Sequence, residues 1–267
     1  MTENVLKKYV KYIDKKIFFN LIKKLYVIFY INIIKKKFFF LYANKSYNYK
    51  NIHYFNNSKN SLSSLCEKYG SDKGYLDFKK ETPFGWKAHS YSNFYYHLFN
   101  HCKNEIKLVF ECGIGTNNPN LISNMTPGGK PGASLRVWRD YFINSMVYGA
   151  DIDKNILFKE DKINTFYVDQ LNEDSIRKLW SNINKSNFDL IIDDGLHTFE
   201  AGIIFFLNSF DKLKKNGIYI IEDVDFVYIS KLTKALSKYN PEIITLNDTL
   251  NSLSQHQNNN LILIRKP

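Results

Sequence analysis

Cysteine is scarce in this chain, and the first sixty residues contain neither glycine nor proline. Cys66, Cys102 and Cys112 are an odd number without metal-ligand spacing, which argues against a disulfide framework and for a reducing compartment. A secretory pattern is missing too. The N-terminus is basic, but no uninterrupted apolar stretch leads into a small-residue cleavage site. The most apolar run, Leu25 to Ile34, is bracketed by Lys23-Lys24 and Lys35-Lys36-Lys37. It falls short of the ~20 apolar residues that a membrane-spanning helix needs. No internal repeat is visible.

Charge is unevenly spread. The first sixty residues hold thirteen of the 37 basic residues and only Glu3 and Asp14 of the 26 acidic ones. The whole net charge of +11 therefore sits in this arm, and the other residues balance at 24 of each sign. A neutral body weakens any case for a surface built to hold a phosphate backbone. In the arm, Lys7, Lys11 and Lys15 recur at helical spacing, which predicts a helix over roughly the first forty residues. Two readings compete: a basic helix contacting an anionic membrane surface or a partner, and a lysine- and isoleucine-rich extension that simply packs. Residues 44–63 read as a linker. The expected division is an extension over 1–60 and one domain over 61–267.

Beyond the linker, residues 65–74 predict a short helix closing in a turn, and 88–99 a second helix rich in aromatics. From residue 107 strands and helices alternate. Strands are expected at 107–111, 145–150, 164–168, 190–193, 217–221, 241–246 and 260–265, with helices at 134–142, 173–180 and 198–214. That alternation predicts an α/β fold, Rossmann-like and doubly wound, with a mostly parallel sheet covered on both faces.

The strand ends carry the chemistry. Leu190-Ile191-Ile192 runs into Asp193-Asp194-Gly195-Leu196-His197, and Gly217 to Ile221 runs into Glu222-Asp223. In open α/β sheets, ligands bind where such strands end. If the two strands are neighbours, four carboxylates crowd one edge and repel unless a cation or protons intervene. This predicts a divalent-metal site beside a bound cofactor. Capping of the following helix is the plainer alternative for the first acid pair, and a structural imidazole for His197.

Phe110-Glu111-Cys112-Gly113-Ile114-Gly115-Thr116 is a strand, an acid and a glycine pair that lets backbone approach a ligand. It lacks the third glycine of a dinucleotide fingerprint, and the next strand-end acid, Asp151, lies beyond a loop rich in Asn, Gly and Pro. With Asp169-Gln170 ending a third strand, the pattern fits a nucleoside held by its ribose hydroxyls and base edge. A cationic amino-acid tail would lie near the glycines.

These motifs, with Lys68-Tyr69-Gly70-Ser71-Asp72-Lys73 and Pro131 to Arg136, resemble those of class I S-adenosylmethionine-dependent methyltransferases. Within that family the chain is similar to the metal-dependent macrocin- and mycinamicin-type sugar O-methyltransferases over roughly 64–228. The resemblance implies a seven-stranded sheet with an antiparallel last strand. It also implies S-adenosylmethionine and Mg²⁺ or another divalent cation as cofactors, and a hydroxylated small-molecule acceptor such as a sugar. Carried over, Asp194, Glu222 and Asp223 ligate the metal and His197 is the catalytic base. Glu111, Gly113, Gly115, Thr116, Ser134, Asp151, Asp169, Gln170 and Asp193 line the cofactor pocket. Asp72, Lys73, His89 and Tyr91 are candidate lid or acceptor-side residues, with a surface turn and core packing as their alternatives. Leu196 departs from the family's usual small serine. A homo-oligomer in the cytoplasm is expected, with peripheral contact to the inner membrane face through 1–60. A nucleic-acid methyltransferase drawn by the arm is the rival enzyme, disfavoured by the neutral body and the lack of an Asn/Asp-Pro-Pro-aromatic motif. A docking protein with a vestigial cofactor fold is the non-catalytic rival.

Overall fold

The computed structural model describes residues 49–54, 59–74, 88–248 and 260–267. The helix expected in the arm lies outside the described residues. Nine strands form one sheet: β1 (Tyr49–Tyr54), β2 (Leu108–Cys112), β3 (Met146–Asp151), β4 (Lys159–Glu160), β5 (Ile163–Tyr167), β6 (Phe188–Asp193), β7 (Leu213–Ile221), β8 (Glu242–Asp248) and β9 (Asn260–Arg265). Their spatial order is β1-β8-β9-β7-β6-β2-β3-β5-β4. The last strand, β9, runs antiparallel to both β7 and β8. Seven strands were expected; β1 and the two-residue β4 extend the sheet at its edges. β1 arises in the stretch read as linker and pairs in parallel with β8.

Six α-helices are described: α1 (Ser61–Tyr69), α2 (Tyr91–Phe99), α3 (Ala133–Tyr141), α4 (Glu173–Ile183), α5 (Phe199–Ser209) and α6 (Phe226–Ala235). Their starts are set by short polar side chains that satisfy the first free N–H groups. Asn60 and Ser63 form a reciprocal capping box on α1, while Asn172, Thr198 and Asp225 cap α4, α5 and α6. Gly70, in the left-handed region at φ 74°, ends α1. The helix expected over 198–214 stops at Ser209, because a 3₁₀ turn over Phe210–Lys212 feeds β7 four residues before Gly217.

Every residue of β6 is buried, and from Leu190 to Ile192, past an irregularity after Phe188, alternate side chains serve opposite layers. Leu190 and Ile192 join one core with Leu62, Tyr95 and Trp138, from α1, α2 and α3. Phe188 and Ile191 join the other with Ile176, Phe205 and Leu232, from α4, α5 and α6. Strand order reverses at β2, which lies between β3 and β6 and pairs with both. The register sets Cys112 level with Asp193, and Asp193 level with Ile221. The acids one residue further on thereby share one edge.

Candidate active site

A cleft of about 730 Å³ opens at that edge, walled by the loops after β2, β3, β5, β6 and β7. The β2 turn depends on glycine. Gly113 adopts φ 84° and Gly115 φ 83°, and a Cβ on the first would overlap the Asp194 carbonyl. The Ile114 amide donates to Asp151 Oδ2 at 2.9 Å, and the Asp153 amide to Asp151 Oδ1 at 2.9 Å. Burial pushes the Asp151 carboxyl above its ordinary range, opposed by these amides. The Thr116 hydroxyl donates to Asp153 at 2.6 Å, a partner the sequence reading did not include. Gly113, Gly115, Thr116, Ser134, Asp151 and Asp169 all line the cleft.

Three of the residues assigned to the cofactor are placed differently. Glu111 is fully buried below the cleft, where it accepts from Trp138 Nε1 at 2.8 Å and lies 3.1 Å from Lys73 Nζ. Asp193 is also buried, and Gln170 Nε2 donates to its Oδ1 at 2.6 Å. Gln170 lines the cleft, yet its Oε1 accepts from the Leu196 amide at 2.9 Å. The glutamine thus ties the loop after β5 to the loop carrying His197. Burial pushes Asp193 up to about 6, opposed first by nearby His197 and then by Gln170.

The acid cluster is organised around a buried ammonium. Lys73 is 3 % exposed, and its Nζ is 2.6 Å from Asp194 Oδ2 and pairs with Glu222 Oε2. Although burial disfavours the charge, Asp194, Glu222 and Glu111 hold the ammonium well above the usual lysine range. The second Glu222 oxygen accepts from the Tyr95 hydroxyl. On Asp223, Oδ1 accepts from the Tyr91 hydroxyl at 2.5 Å and lies 3.6 Å from His89 Nε2. The His89 and Tyr91 rings stack at 4.6 Å. Asp72 and His89 line the cleft, whereas Tyr91 is buried behind Asp223.

Burial and position divide the carboxylates. Burial raises Asp194 to about 7 against the pull of Lys73, with Asp223 adding to the rise. It also drives Glu222 well above the usual range, again opposed by Lys73. For Asp223 burial is outweighed by His89, His197 and the Tyr91 hydroxyl, and its carboxyl falls below the ordinary value. His197 and Asp223 both occupy the left-handed region, at φ 57° and 51°. Strain of this kind costs of order 1–3 kcal/mol and collects at functional sites.

Asp194, His197 and Asp223 each offer a ligand atom, all within 4.8 Å of one another. Two carboxylates and an imidazole suit a divalent cation, and three carboxylates paired with one lysine, with Asp223 beside them, leave negative charge for it to balance. Glu222 stands one step back, with both oxygens engaged by Lys73 and Tyr95. The sequence reading missed Tyr95 and Trp138, which carried only a core-packing signal. It left Lys73 open to a surface-turn reading because a lysine between Asp72 and Gly74 reads locally as a turn.

No protein-family model matches the chain. It is 29% identical over 167 residues to the 8-demethyl-8-alpha-L-rhamnosyl tetracenomycin-C 2'-O-methyltransferase of Streptomyces olivaceus, covering 62% of this chain and 38% of that protein. Similarity to the demethylmacrocin O-methyltransferase of Streptomyces fradiae is also 29%, over 61% of this chain and 39% of that one. The chain thus spans about two fifths of the length of the curated relatives it matches. Among solved structures, the MycE methyltransferase of the mycinamycin biosynthetic pathway, in complex with Mg and SAH, aligns with a TM-score of 0.54 at 22% identity. That alignment covers 78% of this chain and 55% of the other. The shared architecture is the class I methyltransferase fold.

Proposed function

We propose that this chain is an S-adenosylmethionine-dependent O-methyltransferase, assisted by Mg²⁺ or a similar divalent cation, acting on a hydroxyl of a sugar or another polyhydroxylated small molecule. The observation that carries this reading is the meeting of Asp194, His197 and Asp223 beside a cleft whose other wall is the glycine turn and the acids of β3 and β5. When bound, S-adenosylmethionine supplies a methyl group already activated on a sulfonium, and the cation supplies Lewis acidity and a template for neighbouring hydroxyls.

The chain's own residues do the rest. Gly113 and Gly115 let the backbone lie close against the cofactor, and Asp151 and Asp169 address its nucleoside. Asp194 and Asp223 hold the cation, with Glu222 behind them. A sugar hydroxyl is a poor nucleophile at neutral pH, so His197 removes its proton as the hydroxyl is held in line. Asp72 and His89 face the cleft on the acceptor side.

We take residues 61–267 as the catalytic domain, with β1 from the preceding stretch joining its sheet, the residues before β1 as an appended extension, and the working form as a homo-oligomer. A cytoplasmic surface-glycan precursor is the acceptor we favour, in keeping with three free thiols. Among the described residues no helix is long and apolar enough to cross a membrane. Membrane contact through 1–60 concerns residues outside those described. The neutral body and the sugar-directed names of the relatives leave the nucleic-acid and docking alternatives unfavoured.

Calorimetric titration of the full chain with S-adenosylhomocysteine, in Mg²⁺ and then in chelator, tests the reading. Roughly micromolar binding in both conditions is expected, since the cofactor wall is separate from the acid cluster. Absence of binding in either condition would remove the methyltransferase assignment. Methylation of sugar acceptors that persists in excess chelator would remove the metal.

A further inference from the structure

A second cavity, of about 10 Å³, shares Gln170 and His197 with the main cleft. Asp193, His197, Thr198, Gly202, Tyr228 and Leu232 form most of its wall, between α5 and α6. A single water needs roughly 10–15 Å³ and two to four polar partners. Of the other polar groups in the wall, both Gln170 ends are bound to Asp193 and Leu196, and both Glu222 oxygens to Lys73 and Tyr95. Thr198 accepts from the Ala201 amide.

Besides the hydroxyls of Thr198 and Tyr228, which can also donate to a water, two buried atoms of the wall are without a partner. Asp193 Oδ2 and His197 Nδ1 are buried side-chain atoms without a hydrogen bond among the described residues. Asp193 itself is 3 % exposed. Its Oδ2 points toward Gly202, since a Cβ added there would sit 3.9 Å from it. Leaving such groups unsatisfied costs about 1–3 kcal/mol each.

We propose that one water bridges Asp193 Oδ2 and His197 Nδ1 in this cavity, making Asp193 the positioning residue that fixes the ring orientation and tautomer of His197. The inference rests on the reading of His197 as the base. A carboxylate is acceptor-only, so the water donates to Oδ2 and accepts from Nδ1–H. The Nε2 lone pair is then the one available to take a proton from the acceptor, as when a second group orients a working imidazole.

The hydrogen-bond polarity gives two variants that act differently. The Leu196 amide fixes Gln170 Oε1, so Gln170 Nε2 must face residue 193. In Asp193→Asn the new side-chain oxygen therefore stays on Gln170, and its NH₂ group faces the cavity. The chamber then receives a donor where it had an acceptor, and the His197 tautomer should reverse. Gly202→Ala fills the chamber instead. Its methyl meets Leu232, Asp193 and Ile221 at 3.7–3.9 Å, ordinary contact distances, so the helix accommodates it.

The test is long-range ¹H–¹⁵N NMR on the full chain with ¹⁵N-labelled histidine, at pH about 8, where an ordinary imidazole is neutral. The His197 signals are identified by their loss in His197→Gln. The wild type should show Nδ1 protonated and Nε2 bare, Asp193→Asn the reverse, and Gly202→Ala a mixture of both. A wild-type Nε2–H tautomer, or a His197 signature unchanged in Gly202→Ala, would overturn the proposal. Because Gly202→Ala removes no polar group, it decides the matter even if Asp193→Asn fails to fold. Failure of the methyltransferase reading shows separately, as loss of S-adenosylhomocysteine binding with the tautomer as expected.

Discussion

The two walls of the cleft hold their carboxylates by different means. On the β2–β3 side, Asp151 is held by the amides of Ile114 and Asp153, so backbone that is already fixed by strand ends does the work. On the β6–β7 side, Asp194, Glu222 and Asp223 are held by Lys73, Tyr95, Tyr91 and His89, side chains that come from the loop after α1 and from around the start of α2. The first wall joins segments at most 37 residues apart, largely through backbone. The second is assembled from segments more than a hundred residues apart, and depends on each partner being present.

That contrast is sharpest if the two halves can be damaged separately. Asp194→Ala should reduce methyl transfer to background while leaving S-adenosylhomocysteine affinity within a few-fold, checked by paired turnover and calorimetry. If affinity falls in parallel, the walls are not independent. His197→Ala should cost about 10²–10⁴-fold in kcat, the usual contribution of a general base, again with cofactor affinity preserved. Lys73→Met leaves Glu111, Glu222 and Asp194 without their cation. Urea denaturation should show a loss of about 3–5 kcal/mol, as for other broken buried ion pairs. Trp138→Phe withdraws a single donor from buried Glu111, and about 1–3 kcal/mol is expected.

The smallest effect lies outside both walls. Burial works against the charged form of Asp140, but Tyr69, Arg139 and Lys68 outweigh it and lower the carboxyl to about 2. A depressed carboxylate contributes stability above its unfolded value near 4, and that contribution is lost as pH falls toward 2. Because the group is partly exposed, screening reduces the contribution to about 1 kcal/mol. Asp140→Asn should flatten the stability profile over that window, measured by denaturant titrations between pH 5 and pH 2.

The same contrast explains what could be read from the sequence. The strand pattern from residue 107 onward and the acid-tipped ends of β6 and β7 appear in the sheet, because periodicity and punctuation are local signals, while the antiparallel last strand was expected only from the family resemblance. The spread of elements was less legible. β1 is rich in Tyr and Asn and resembled a linker; only its pairing with β8 makes it a strand. α6 follows directly on Glu222-Asp223, where attention to the acids hid the Asp225 cap. Gly113, Asp151 and Asp194, named from position alone, line the cleft. Tyr95 and Trp138 were not named, because each looks like core until its polar atom is seen to reach a carboxylate 27 or more residues away. Gln170 was read as a ligand-facing residue; it lines the cleft, and its amide also joins two loops.

That shared amide bears on any attempt to reshape the cleft. Truncating Gln170 to widen it removes the strut that seats the segment bearing His197. A workable redesign would begin from Ile152 or Leu171, which line the cleft and leave the strut intact.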